Sequence, residues 1–136
     1  MGVSMKHFSP EMSEREVNRI SMLGLAHVGD GVYELLTRAF LCEQGHTDAH
    51  ELHRLTVAKV RAQAQAQATE RILPLLTEEE LLVFKRGRNA HVHSVPHNAE
   101  LADYHAATAL EALFGWLFLQ GRLDRMDALF AAAWEE

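Results

Sequence analysis

Two acids stand where this chain has least use for charge. Asp30 lies inside LGLAHVGDGVYELL (23–36), between Gly29 and Gly31, and Glu111 lies inside HAATALEALFGWLFL (105–119). Leu110, Leu113, Phe114 and Leu117 surround Glu111 at core-like spacing. Burying a carboxylate is costly unless something neutralises it. If the two helices pack together, the acids can meet. Two adjacent carboxylates cannot both stay ionised without a cation, because each raises the other's pKa. A hard divalent ion such as Mg²⁺, held by oxygen ligands and water, resolves the conflict. The alternative is that each acid sits on a polar flank or bonds a local arginine.

The elements that must position these acids read as helices throughout. Ser13 with Glu16 has capping-box spacing, which predicts a first helix running on to about Cys42. EQGHTD is a turn, with Gly45 as the helix stop. Asp48 with Glu51 repeats the cap, and the next helix continues through LHRLTVAKVRAQAQAQATERIL to Pro74. Its Ala/Gln alternation imitates a strand, yet both residues favour helix. Ala58, Ala62 and Ala66 form a small-residue stripe that would admit a close neighbour. Thr77 with Glu80 opens a short helix ending near Gly87, followed by a loop over 88–98. A long helix then runs to Gly121, and LDRMDALFAAAWEE closes the chain. The expectation is an all-α helical bundle, one domain over 1–136, with 1–12 a flexible extension.

The chain has 136 residues, 48% of them hydrophobic, enough for a core. The single Cys42 excludes an internal disulfide and fits a reducing cytoplasm. No stretch reads as a secretory signal or a membrane span, so no membrane partner is expected. The net charge of −6 argues against a nucleic-acid binder when taken alone. The excess, however, comes largely from TEEE (77–80) and the final EE, whereas Lys85 to His97 holds no acid.

LAHVGDGVYELL resembles the signature helix of the ribonuclease III family, and TALEALFGWLFL resembles that family's second acidic helix. VAKVRAQAQA (57–66), FKRGRNA (84–90), VPHN (95–98) and YHAATALEALFGWLFL (104–119) extend the match. The resemblance runs from about residue 16 to 135 and is nearest to the family's Mini-ribonuclease III branch, which lacks a double-stranded RNA-binding domain. It implies a homodimeric, Mg²⁺-dependent endoribonuclease, Mn²⁺ being able to substitute, that hydrolyses double-stranded RNA. The implied substrate is the stem of the 23S ribosomal RNA precursor, with a ribosomal protein as a possible helper. Asp30 and Glu111 take the places of the family's catalytic and metal-binding acids. Larger relatives keep further acids where this chain has Leu23, Ala26 and Thr108. That thin acid set motivates an alternative: a non-catalytic RNA-binding or ribosome-associated scaffold domain.

Other residues keep two readings. Glu34 could be an auxiliary ligand or pair with Arg38 at i,i+4. Thr108 could bond a metal-bound water or a helical carbonyl. Lys85, Arg86 and Arg88 could contact phosphate or offset a helix C-terminus. Asn89 could orient RNA or serve a turn. His46, His50 and His53, like His91, His93 and His97, have ligand-like spacing, but Cys42 has no partner cysteine for a zinc site. His97 and His105 fall where the family is usually basic, and as imidazolium they can still contact phosphate. RNA affinity is then expected to weaken as pH rises past about 7. Binding at pH 6 and pH 8, compared between wild type and His97→Lys, checks this; equal pH dependence in both would sink it.

Overall fold

The computed structural model describes residues 7–90 and 100–134. The order is α1 (Glu14–Val17), α2 (Met22–Glu43), α3 (Ala49–Val60), α4 (Ala62–Ile72), a 3₁₀ turn (Leu73–Leu75), α5 (Glu78–Arg88), α6 (Leu101–Leu119) and α7 (Leu123–Trp134). No strand occurs among the described residues. The all-α expectation holds.

Helix α6 forms the axis of the fold. Every residue from Ala107 to Leu117 is buried except Glu111. A helix apolar on all sides must be enclosed by others, and α2, α4, α5 and α7 pack around it. Tyr33, Phe40, Phe114, Phe130 and Trp134 close one side with edge-on ring contacts. Burial pushes the Tyr33 hydroxyl up to about 12, Arg71 countering slightly.

Helix α2 meets α6 backbone to backbone. A methyl on Gly29 would overlap the carbonyl oxygen of Glu111, and one on Gly115 would overlap that of Leu25. Only glycine permits this approach. Gly31 differs, since a methyl there would meet nothing within 4 Å. The expected run from Ser13 to Cys42 is interrupted. Asn18 caps α1, and Ser21 accepts a 3.0 Å bond from Gly24 N as a fresh N-cap. The helix expected to reach Pro74 also breaks, at Arg61, whose ψ of 154° is extended. The break frees α4 to turn Gln65, Ala68, Thr69 and Ile72 inward. Ala58 and Ala62 therefore lie on different helices, and the alanine stripe is not the packing face.

The remaining caps match the residues that signal them. Asp48 accepts from Glu51 N, and Thr77 with Glu80 makes a full capping box. Glu80 is 2% exposed and also receives two bonds from Arg125. Burial alone would raise its pKa, but the bonds from Arg125 and Thr77 outweigh this and lower it. Gly45 (φ 104°) and Gly121 (φ 72°) end α2 and α6 in left-handed conformations. The segment before α1 is partly docked: Met12 N donates to Leu119 O at 2.9 Å. No helix of the described residues is long and apolar enough to cross a membrane.

Gly29→Ala is expected to cost ~3 kcal/mol or more, as overpacking against backbone that cannot yield. Gly31→Ala is expected to be neutral or to stabilise by up to about 1 kcal/mol. Urea unfolding of both variants measures the contrast, and equal losses would contradict the crossing.

Candidate active site

The glycine crossing sets the site. Asp30 follows Gly29 on α2, and Glu111 lies one turn before Gly115 on α6, so the contact that joins the helices brings the two acids side by side. Their carboxyl groups are hydrogen-bonding neighbours. Asp30 is exposed, on the outer side of α2, and not sunk in the core as its apolar surroundings suggest. Glu111 is the half-buried partner. Burial first, then the charge of Asp30 and a hydrogen bond to it, push the Glu111 carboxyl up to about 8. Without a cation, Glu111 therefore keeps its proton through neutral pH.

A third side chain completes the cluster. Gln65 of α4 is 1% exposed and donates from Nε2 to Glu111 Oε2 at 3.4 Å. Sequence reasoning passed over it within an Ala/Gln repeat. The available signal was its place at i of a buried i, i+3, i+4, i+7 face ending at Ile72, whereas Gln63 and Gln67 are exposed. Among the described residues, no set of three or more His, Cys, Asp and Glu side chains converges on a metal position. The donors present are hard oxygens, which suit a divalent ion such as Mg²⁺ or Mn²⁺.

The two auxiliary candidates have other partners. Glu34 accepts from Arg38 at 3.0 Å along the exposed face of α2, the helical pair its spacing also predicts. Thr108 is buried, and its hydroxyl donates to the Tyr104 carbonyl at 3.0 Å, which ties it to its own helix. The two glycines beside Asp30 differ in surroundings. The space at Gly29 is filled by the backbone of α6, and only Gly31 is open.

Lys85, Arg86 and Arg88 are exposed on the last turn of α5, and Asn89 is its C-cap. Gly87, between them, packs against Ala109 and Ala112 of α6; a methyl there would lie 3.0 Å from each. Ala112 follows Glu111 in sequence but points about 100° away around the helix, so this cationic turn packs on α6 at the level of the acids and on another side of it. His105 is half-buried near the start of α6. His91, His93 and His97, with most of the expected loop, lie outside the described residues. His46 pairs with Glu51.

Comparison with known proteins adds to this geometry. The model of the Ribonuclease III domain matches residues 23–122, which include both acids, Gln65 and the cationic turn. The chain belongs to the ribonuclease III family. A Mini-ribonuclease 3 of Symbiobacterium thermophilum is 42% identical over 111 residues, covering 82% of this chain and 85% of that protein. One from Enterococcus faecalis is 39% identical over 117 residues, covering 85% and 89%. One from Desulfitobacterium hafniense is 44% identical over 112 residues, covering 82% and 71%. A crystal structure of a Fusobacterium nucleatum protein superposes with a TM-score of 0.77 at 28% identity, covering 85% of this chain and 94% of that one. Membership gives the class of chemistry, an endoribonuclease of the ribonuclease III type.

The raised Glu111 pKa has a consequence for stability. A native carboxyl that titrates at about 8, against 4.5 ordinarily, holds its proton where the unfolded chain has lost it. Stability is then full below about pH 4.5 and falls as pH rises through 8. In chelator-treated protein, Glu111→Gln is expected to be more stable than wild type at pH 8.5, by on the order of 3 kcal/mol, and much less so at pH 4.5. Thermal unfolding of both proteins across this range measures the gap, and a gap that does not change with pH would refute the assignment.

Proposed function

We propose that this chain is a homodimeric, divalent-metal-dependent endoribonuclease that cuts double-stranded RNA, and that its substrate is the stem of the 23S ribosomal RNA precursor. The observation that carries the reading is the adjacency of Asp30 and Glu111 at a backbone-close crossing, with one acid exposed and the other half-buried. Such a pair favours a cation over a proton when a divalent ion is available. When bound, Mg²⁺ or Mn²⁺ would polarise a phosphoryl oxygen and lower the pKa of a coordinated water.

The chain's own groups divide the remaining work. Asp30 and Glu111 are the metal-holding pair, Asp30 open to substrate and Glu111 fixed in the wall. Lys85, Arg86 and Arg88 supply phosphate contacts from the last turn of α5, with guanidinium suited to bidentate binding. Asn89 at the end of α5 and His105 extend the RNA-binding surface, and His97, outside the described residues, is a further candidate phosphate contact. Duplex RNA is recognised by its shape, phosphates and 2′-hydroxyls, which suits a compact cationic turn of this kind. An open apolar groove of about 600 Å³ supports dimerisation. Val28, Val32, Leu35 and Leu36 of α2 line it with Phe118, and Leu35 is 51% exposed. A second copy of the chain would cover it.

Cleavage of a duplex 23S precursor stem with and without Mg²⁺ tests this, beside Asp30→Asn and Glu111→Gln. Both variants are expected to lose about 10³-fold or more in rate, the several kcal/mol that a Lewis-acid metal supplies. Activity persisting in both would exclude the site, and no cleavage of any duplex by wild type would favour the scaffold reading. Arg86→Ala and Arg88→Ala are expected to raise KM with little change in kcat and to flatten the salt dependence. Solution mass tests the dimer.

A further inference from the structure

The carboxylate pair leaves Gln65 unexplained. Its one hydrogen bond, to Glu111, is long at 3.4 Å, beyond the usual 2.7–3.2 Å range for N–H···O. Its Oε1 lies in the interior with no partner. A buried amide so poorly satisfied is costly, and a leucine here would avoid the cost. A buried polar atom without a partner calls for a specific cause, such as an ion or water.

The surroundings of the amide bear on which way it faces. No interior donor holds Oε1, so the orientation is set from the Glu111 side. Beside a bare carboxyl the nitrogen faces Glu111. Beside a cation a half-turn of the amide presents the oxygen instead. The 3.4 Å separation already suits two oxygens on one ion. Ligands at roughly 2.1–2.4 Å and right angles to each other stand about 3.0–3.4 Å apart.

We infer that Gln65 is a third protein ligand of the divalent ion held by Asp30 and Glu111, binding through its amide oxygen. The inference rests on the metal-site reading above and specifies its ligand set. One ligand then comes from each of α2, α4 and α6. A neutral oxygen adds coordination without a third negative charge in a half-buried site. It also offsets the absence of carboxylates at Leu23, Ala26 and Thr108.

The test uses Mn²⁺ alone, titrated calorimetrically into the full chain without RNA, together with water-proton relaxation, which counts waters on the bound ion. The proteins are wild type, Gln65→Leu, Gln65→Met, Gln65→Glu and Glu111→Gln, each checked for folding by thermal unfolding. The expected result is Mn²⁺ binding weakened about 10-fold or more in Gln65→Leu and Gln65→Met, with one additional water on the ion. Gln65→Glu, which keeps an oxygen at this position, should bind at least as tightly as wild type. Unchanged affinity and water count in a folded Leu or Met variant would overturn the ligand assignment and leave the carboxylate site intact. Equal loss in Gln65→Glu and Gln65→Leu would also overturn it. Mn²⁺ binding by wild type that Glu111→Gln does not weaken would overturn the site reading, and this inference with it.

Discussion

The contact between Gly29 and Gly115 is the constraint on which the rest of this molecule depends. It lets α2 and α6 touch through their backbones, with no side chain between them. The usual helix spacing of 8–10 Å reflects side chains at the contact, and removing them draws in whatever lies alongside. Here that is Asp30 and Glu111. Alanine at either glycine would push apart the acids as well as the helices. Core packing and site geometry are therefore set by one contact.

The site lies at the seam between two dielectric regimes. Asp30 is on the wet side and Glu111 on the dry side, and the difference gives them different parts. Burial in the wall holds the Glu111 carboxyl neutral through neutral pH. The metal-free protein therefore carries an electrostatic cost that an ion at the proposed site would relieve. Stability sacrificed at a site in this way is a common accompaniment of function. Gln65 adds to the cost, since its inner oxygen has no partner.

Much of this was legible in the sequence, for identifiable reasons. Capping residues at Ser13, Asp48 and Thr77 and glycines at 45 and 121 marked helix ends, because each acts through its own backbone neighbourhood. Asp30 and Glu111 stood out because each was a lone charge in an apolar helix. The breaks at Ser21 and Arg61 did not stand out. Ser21 is an N-cap inside a run already read as helix, and Arg61 is extended for tertiary reasons, to turn α4 toward α6. Gly29 and Gly31 look identical in sequence, yet one is a helix contact and the other open surface. Gln65 was hidden because its meaning depends on Glu111, 46 residues away.

The net charge of −6 also gives a misleading picture until the charges are placed. Helix α5 carries Glu78, Glu79 and Glu80 in its first turn and Lys85, Arg86 and Arg88 in its last, the order its dipole favours. Two of those acids are engaged by arginines at and just before the start of α7: Arg122 bonds Glu79 at 3.0 Å, and Arg125 bonds Glu80 at 2.8 Å. The cations at the other end have no such partner among the described residues. Eight residues of helix separate Glu80 from Arg88, about 12 Å, which exceeds the screening length of about 8 Å at physiological salt. An approaching phosphate would therefore meet the cationic end with Glu79 and Glu80 paired. A protein acidic overall could in this way present a basic face to RNA, and Arg122 and Arg125, which secure the fold, would be part of what makes that face basic.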